Sequence, residues 1–256
     1  MNMRETISLT AEEVPATITI NGIAHAVMML TPSSLENFAV GFAYSESIID
    51  SVDQIRDMDI SAADQHMEAV AVKSINIDLT LSPRQFQAYK ETHSFRRGLT
   101  SCGICGSAAL KEAFPNLSPL QPATRPVDQL LMEIRNNTPS IAGVHFAKLI
   151  SPEGQTIVSD EDIGRHNALD KVLGFAIRNK LDLHQHYAIL SSRCSVELVQ
   201  KAVKAGLSTL VHLSSPSNLA VEMAKHYKLN LIQISRSNEI VVHALSSSER
   251  LSHENR

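Results

Sequence analysis

Cys102 and Cys105 are separated by two residues in the segment TSCGICGSAAL (residues 100–110), and a glycine follows each of them. This spacing serves four different chemistries in proteins: half of a zinc site, a redox dithiol, a small structural disulfide, and a thiolate that carries another group. The rest of the sequence discriminates among them.

The cysteine count disfavours both a zinc site and a structural disulfide. Structural zinc needs four ligands, but the chain has three cysteines, no second Cys-x-x-Cys and an isolated Cys194. The N-terminal segment lacks the basic start and apolar core of a secretory signal, and no segment is apolar over the ~18 residues of a membrane span. We therefore expect a cytoplasmic protein without membrane contact, whose thiols stay reduced.

The two remaining chemistries differ in what precedes the cysteines. A thioredoxin-like dithiol follows a buried strand, whereas the segment THSFRRGLTS before Cys102 is polar and basic and predicts a loop. Arg96 and Arg97 could instead stabilise a nucleophilic thiolate, and the glycines permit close backbone approach. The spacing alone does not distinguish this thiolate from two small residues in a tight turn.

A second dense group of polar residues lies in SDEDIGRHNALDKVLG (residues 159–174), at a predicted strand-to-helix junction. Arg165, His166 and Asn167 are its candidate ligand-binding residues, because open α/β sheets bind ligands beyond the carboxyl ends of their strands. The same residues are equally typical of an ordinary N-capped helix. The sequence leaves both interpretations open.

Two serine-rich turns repeat this strand–turn–helix arrangement, in LSSRCSVELVQKA (residues 190–202) and LSSPSNLAVEMA (residues 213–224). Hydroxyl groups and free N–H groups at helix N-termini suit phosphates, although serine is also a common N-cap. Several such turns on one sheet edge predict a pocket for a phosphorylated ligand, with Ser214 and Ser215 among its residues. His145 and His212 fall at predicted strand ends, where either could line that pocket.

Composition argues against a nucleic-acid-binding protein. The 256 residues carry a net charge of −4, aromatic residues make up 4%, and tryptophan is absent. A basic surface and stacking aromatics are the usual requirements for binding nucleic acid. We therefore expect no nucleic acid among the partners.

The proline-rich segment PNLSPLQPATRP (residues 115–126) predicts a domain boundary. Before it, residues 1–120 predict a smaller α+β domain with a hairpin over 16–30, a helix over 33–50, strands over 67–74 and 75–82, and helices over 82–95 and 107–114. After it, residues 121–256 predict a helix over 127–137, a strand pair, and then helices alternating with strands. This alternation predicts a three-layer α/β domain with a mixed sheet and helices on both faces.

Taken together, SCGICG, EDIGRHNALDKVLG, SSRCSVELVQKAVKAG and SSPSNLAVEMA resemble the FdhD family in order and spacing, over nearly the whole chain. The resemblance implies a cytidine-deaminase-like α/β domain without the deaminase zinc site, a smaller N-terminal domain and a homodimer. It also implies a sulfurtransferase that carries sulfur from a cysteine desulfurase, as a persulfide on Cys102 with Cys105 as its partner.

The recipient implied by the resemblance is the molybdenum bis-molybdopterin guanine dinucleotide cofactor, bound as a substrate before its insertion into the catalytic subunit of formate dehydrogenase. The family's cofactor-contacting segment matches Ile234, Ser235, Arg236, Ser237, Asn238 and Glu239. Two alternatives remain: a Cys-x-x-Cys dithiol oxidoreductase, and a nucleotide-binding module with structural cysteines.

Overall fold

The computed structural model describes residues 11–67, 70–93, 114–122, 144–235, 237 and 239–246. Cys102 and Cys105 lie outside the described residues, as does the helix predicted over 127–137. The helix predicted over 107–114 also lies outside them, except for its last residue.

The N-terminal half contains a four-stranded sheet in the order β2-β1-β4-β3. Its strands are β1 (Val14–Ile20), β2 (Ile23–Leu30), β3 (Ile55–Met67) and β4 (Val70–Leu81). The predicted hairpin is confirmed as β1 and β2, joined by Asn21 and Gly22 at φ of 49° and 74°. These left-handed conformations are the ones that two-residue hairpin turns require.

The prediction of separate strands over 67–74 and 75–82 is wrong, because β4 runs unbroken through both segments. Strand β3, which the sequence did not predict, pairs antiparallel with β4 along its length. It contains aspartates, a residue type that is depleted in strands, and its register with β4 shifts between Ile55 and Asp57. Pairing with β4 therefore determines this edge strand more than its own pattern does.

Helices α1 (Leu35–Ser45) and α2 (Pro83–His93) pack with this sheet. The apolar side chains of β1, which alternate with half-buried positions, form a core with α1 that includes Ile18, Phe38 and Phe42. Both helices agree with the sequence prediction, although α1 is shorter than predicted.

The C-terminal half contains a six-stranded mixed sheet in the order β10-β9-β8-β7-β5-β6. Its strands are β5 (His145–Ile150), β6 (Thr156–Asp162), β7 (Tyr187–Leu190), β8 (Thr209–His212), β9 (Asn230–Ile234) and β10 (Ile240–Ala244). Strands β7, β8 and β9 are parallel, and the other pairs are antiparallel. The predicted mixed sheet is confirmed.

Helices α3 (Arg165–Arg178), α4 (Val196–Lys204) and α5 (Asn218–His226) pack with one face of this sheet in a single apolar core. The opposite face carries a second buried cluster that includes Phe146, Ile189 and Val211. Among the described residues the helices of this half contact the first face, so the three-layer, deaminase-like arrangement stays a prediction. No helix in the described ranges is both long enough and apolar enough to cross a membrane.

The two halves meet where α1 crosses α3. A side chain at Gly41 would put its Cβ 1.9 Å from the carbonyl oxygen of Asp170, and one at Gly174 would put it 1.8 Å from that of Asn37. The two backbones are therefore in direct contact. The predicted boundary segment also contacts the C-terminal half, since the Leu120 N–H donates to the carbonyl of Tyr227 at 2.9 Å.

Candidate functional site

The serine-rich segments meet at one edge of the six-stranded sheet. Because β7, β8 and β9 are parallel, their carboxyl ends lie along the same edge, and the loops 191–195, 213–217 and 235–239 start there. The first residue of β5, His145, lies at this edge too, because Ala147 pairs with Leu190. His145 in turn pairs with Asp162, which ends β6. The junction that begins α3 therefore joins the same edge.

Backbone hydrogen bonds hold these loops against one another. The Leu213 N–H donates to the carbonyl of Leu190 at 3.0 Å, and the Ser217 N–H donates to that of Cys194 at 3.0 Å. The N-termini of α4 and α5 are thus fixed side by side. The Ala220 N–H is capped by the Ser217 hydroxyl and the Glu197 N–H by its own carboxylate. The remaining N–H groups of these two first turns favour an anionic ligand.

His166 lies half-buried in the first turn of α3, close to the start of α4. Its Nε2 is 3.4 Å from the Ser195 hydroxyl and 3.9 Å from a carboxylate oxygen of Glu197. A hydrolytic triad requires the carboxylate and the hydroxyl at opposite ring nitrogens. Here both approach Nε2, so this group does not have the geometry of a serine hydrolase.

The electrostatic environment keeps His166 neutral. Burial lowers the pKa of His166 from 6.5 to about 4, and Arg165 and Lys201 add to this effect while Glu197 opposes it. Burial and Arg165 also lower the pKa of His145. Both rings therefore offer hydrogen bonds at neutral pH without adding positive charge.

Arg165 is the cation at this edge whose hydrogen bonding is incomplete. Its Nε is buried and has no hydrogen-bond partner among the described residues. A buried donor without an acceptor is costly, and guanidinium groups match the geometry of phosphate and carboxylate oxygens. Arg165 is thus suited to hold an anionic group.

Asn167, the third candidate of this segment, is occupied by contacts within the protein. Its side chain is 3% exposed, and its Nδ2 donates to the carbonyl of Met29 at 2.8 Å and to the carboxylate of Asp162 at 3.0 Å. The structure therefore brings Arg165 and His166 to the sheet edge but places Asn167 in a network that joins the two halves.

Of the candidate serines in the second turn, Ser214 is half-buried and Ser215 is exposed. The Ser215 hydroxyl accepts a hydrogen bond from Gln233 at 3.2 Å, and Gln233 is 3.0 Å from Nε2 of His243. The sequence analysis missed both supporting residues. A polar residue alternating with the buried Ile232 and Ile234 was the available signal for Gln233.

His212 lies fully buried at the end of β8. Its Nδ1 is 3.1 Å from the carbonyl of Ser192, so Nδ1 carries the proton and Nε2 is an acceptor without a partner among the described residues. Burial lowers the pKa of His212 to about 4. Through its hydrogen bond to the Ser192 carbonyl, this neutral ring holds the loop 191–195 in place.

The candidate segment 234–239 begins with Ile234, the last residue of β9, which is 3% exposed and packs in the core of the sheet. Ser235, Ser237 and Glu239 then form a closed turn: the Ser235 N–H donates to the Glu239 carbonyl at 2.8 Å, and the Ser237 hydroxyl donates to the Glu239 carboxylate at 2.9 Å. The candidates Arg236 and Asn238 lie outside the described residues.

Cys194 is the cysteine that the structure describes. It is 1% exposed, and burial raises its pKa to about 12, so this thiol is unsuited to nucleophilic chemistry. Within the described ranges, no group of histidine, cysteine and acidic side chains is arranged to hold a metal ion.

Comparisons with known proteins identify the family of this chain. The model of the FdhD/NarQ family matches residues 11–252. The sulfur carrier protein FdhD of Acinetobacter baylyi is 34% identical over 252 residues, which cover 95% of this chain and 89% of that protein. The fold is similar to the crystal structure of a protein from Desulfotalea psychrophila described as a formate dehydrogenase accessory protein. That likeness has a TM-score of 0.64 and 23% identity, and it covers 94% of this chain and 90% of the other. The chain belongs to the FdhD/NarQ family.

Proposed function

We propose that this chain accepts sulfur from a cysteine desulfurase as a persulfide on Cys102 and transfers it to the molybdenum of a bis-molybdopterin guanine dinucleotide substrate. The sulfurated substrate then enters the catalytic subunit of formate dehydrogenase. The observation that carries the proposal is the convergence of three serine-containing loops and Arg165 at one edge of the six-stranded sheet, in a member of this family.

This edge has the properties that a large polyphosphorylated substrate needs. The adjacent starts of α4 and α5 supply N–H groups, and Arg165 supplies a guanidinium with an unsatisfied Nε. Arg193 adds an exposed cation in the first loop. Charge-assisted hydrogen bonds from such groups to phosphate are stronger than neutral ones. The neutral His166 can donate or accept a hydrogen bond without adding charge to the site.

The state of Cys194 supports the two remaining cysteines as the sulfur carriers. Thiolates, not thiols, attack sulfane sulfur, and a buried thiol whose pKa is raised to about 12 stays protonated. In the first step the Cys102 thiolate attacks the persulfide of the desulfurase, a new sulfur–sulfur bond forms, and the desulfurase thiolate leaves. This step involves no net oxidation.

Delivery to molybdenum as sulfide requires two electrons. In our proposal the Cys105 thiolate attacks the inner sulfur of the Cys102 persulfide, so that a Cys102–Cys105 disulfide forms and hydrosulfide (HS⁻) is released. Hydrosulfide and one proton convert an oxo ligand of molybdenum into a sulfido ligand, and the oxygen leaves as water. An external dithiol reductant then restores both thiols, which closes the cycle.

The first test is sulfur uptake. The protein is incubated with a cysteine desulfurase and cysteine, and its intact mass is measured before and after addition of a reductant. We expect the wild type to gain the mass of at least one sulfur atom that a reductant removes, Cys102→Ala to gain none, and Cys194→Ala to behave as the wild type. Equal gain by Cys102→Ala would overturn the assignment. Insulin reduction without sulfur uptake would favour the dithiol oxidoreductase instead.

The second test is binding of guanosine diphosphate, a fragment of the proposed substrate, by calorimetry. Arg165→Gln removes a charge-assisted contact and should weaken binding about tenfold or more. Lys225→Gln is the matched control, because Lys225 is an exposed cation in the last turn of α5, away from the sheet edge. Equal affinity for all three proteins would exclude Arg165 from the site.

A further inference from the structure

We propose that the side-chain amine of Lys204 is a site of acylation, at which a small activated acyl donor such as an acyl phosphate modifies the contact between the two halves of the protein. Lys204 is the last residue of α4, at the helix end opposite the sheet edge that contains Arg165 and His166. Its reactivity is therefore independent of the proposed function.

Lys204 lies where the end of α1 meets the end of α4. The Tyr44 hydroxyl donates to the carbonyl of Lys204 at 3.0 Å. The Nζ of Lys204 is 5.1 Å from the centre of the Tyr44 ring and 2.5 Å from the hydroxyl of Ser47. Because Tyr44 and Ser47 belong to the N-terminal half and Lys204 belongs to the C-terminal half, this amine is part of the contact between them.

The neighbours of Lys204 distinguish it from the lysines that form ion pairs. A carboxylate oxygen lies 2.6 to 2.9 Å from the ammonium groups of Lys171, Lys180, Lys201 and Lys225. An adjacent carboxylate favours the protonated form of an amine. Within the described ranges Lys204 has no such ion pair, and its Nζ contacts a hydroxyl and a ring instead. A hydroxyl can accept from an ammonium and can also donate to a neutral amine, so Ser47 is compatible with both forms.

The surroundings of Lys204 also favour the neutral amine. The side chain is half-buried, and this burial lowers its pKa from 10.5 to about 8. The charges of Asp50 and Glu46, at and beyond the end of α1, raise the pKa, and that of Lys201 on α4 lowers it. An ordinary lysine is almost fully protonated at neutral pH. Lys204 therefore has a larger fraction of free amine, which is the form that attacks a carbonyl carbon.

The reaction is an acyl transfer without oxidation or reduction. The neutral amine attacks the carbonyl carbon of the acyl phosphate and a carbon–nitrogen bond forms. The bond from that carbon to the phosphate oxygen breaks, phosphate leaves, and the nitrogen loses one proton to solvent. The product is an uncharged amide that is bulkier than the amine. Acylation thus removes the cation beside the Tyr44 ring and weakens the contact between α1 and α4.

The test compares rates of acetylation in the full-length protein. The wild type, Ser47→Asp and Ser47→Asn are incubated with acetyl phosphate at about pH 7.5, and mass spectrometry of peptides measures the rate at each lysine. Ser47→Asp places a carboxylate beside Lys204 and should raise the pKa of its amine, whereas Ser47→Asn is the matched uncharged control. Position 47 is exposed and has a φ of 61°, a conformation that aspartate and asparagine both tolerate.

We expect Lys204 of the wild type to be acetylated about tenfold or more faster than the exposed Lys225 and Lys228, at a rate that levels off above about pH 9. Ser47→Asp should slow acetylation of Lys204 about fivefold or more, and Ser47→Asn should change it by less than about twofold. Acetylation of Lys204 no faster than that of Lys228 would overturn the assignment, as would equal rates in the two Ser47 variants. Neither outcome bears on sulfur uptake or nucleotide binding, which test the proposed function separately.

Discussion

Asp162 and Lys171 form an ion pair of 2.8 Å in which neither side chain is exposed to solvent. The Lys171 ammonium also donates to the carbonyl of Thr31 at 3.0 Å, the hydroxyl of Ser33 at 3.1 Å and the carbonyl of Glu161 at 2.9 Å. The pair therefore attaches the loop between β2 and α1 to the junction between β6 and α3. That junction carries Arg165 and His166 to the sheet edge.

Breaking this pair should destabilise the protein strongly. Lys171→Met leaves the Asp162 carboxylate buried without its cation, and we expect a loss of about 3–5 kcal/mol in the free energy of unfolding. The double variant Asp162→Asn/Lys171→Met should lose less than the sum of the single losses. Chemical denaturation of Lys171→Met, Asp162→Asn and the double variant measures these losses. As a control, Lys225→Met, whose pair with Glu222 is exposed, should lose less than about 1 kcal/mol. Similar losses in both lysine variants would contradict the interpretation.

The contact between α1 and α3 should be equally sensitive. In Gly174→Ala the added Cβ would lie 1.8 Å from the carbonyl oxygen of Asn37, so the two helices must separate. We expect a loss of about 3 kcal/mol or more in the free energy of unfolding. Gly206→Ala is the control, because Gly206 has a φ of +78° but no atom within 4 Å of the added group, and it should lose about 1–2 kcal/mol. A smaller loss for Gly174→Ala than for Gly206→Ala would contradict the close crossing.

The elements that the sequence predicted correctly have strong local signals. Asn21-Gly22 specifies the hairpin turn, and the C-terminal strands are short apolar runs separated by amphipathic helices. Placement of the serine-rich turns on one edge follows from the parallel order of β7, β8 and β9. The sequence could therefore predict both the mixed sheet and the edge at which its candidate residues gather.

The roles of the polar residues in the segment 159–174 depend on contacts with residues that are far away in the sequence. Asn167 donates to Met29 across 138 positions, and Lys171 donates to Thr31 across 140. Local patterning shows that these residues are polar but not which of them a neighbouring element will bury. It could not separate Arg165 and His166 from the residues that join the two halves. Strand β3 was missed for the same reason, since pairing with β4 defines it.

Cys194 should not react with alkylating reagents in the folded protein. Burial raises its pKa to about 12, and the side chain is 1% exposed, so both the thiolate population and the access of reagent are low. In the double variant Cys102→Ala/Cys105→Ala, iodoacetamide at neutral pH should add no mass to the native protein and one adduct after unfolding. Rapid labelling of the native double variant would show that Cys194 is accessible.

His212 should make the folded protein sensitive to mild acid. Burial lowers the pKa of His212 from 6.5 to about 4, so the unfolded chain binds a proton at this residue in a range where the folded chain does not. The stability due to the neutral ring is fully present above about pH 6.5 and is lost as the pH falls towards 4, by roughly 3 kcal/mol at most. His212→Asn keeps a donor for the Ser192 carbonyl but cannot titrate.

The difference in free energy of unfolding between the wild type and His212→Asn measures this effect, because the other titrating groups are common to both proteins. We expect the advantage of the wild type over the variant to shrink by roughly 2–3 kcal/mol between about pH 6.5 and pH 4.5. His184→Asn is a suitable control, since His184 lies before β7, away from the sheet edge, and is only half-buried. A difference that stays constant with pH would mean that the folded protein can protonate His212 in place, and that its ring is not confined as the contact with Ser192 indicates.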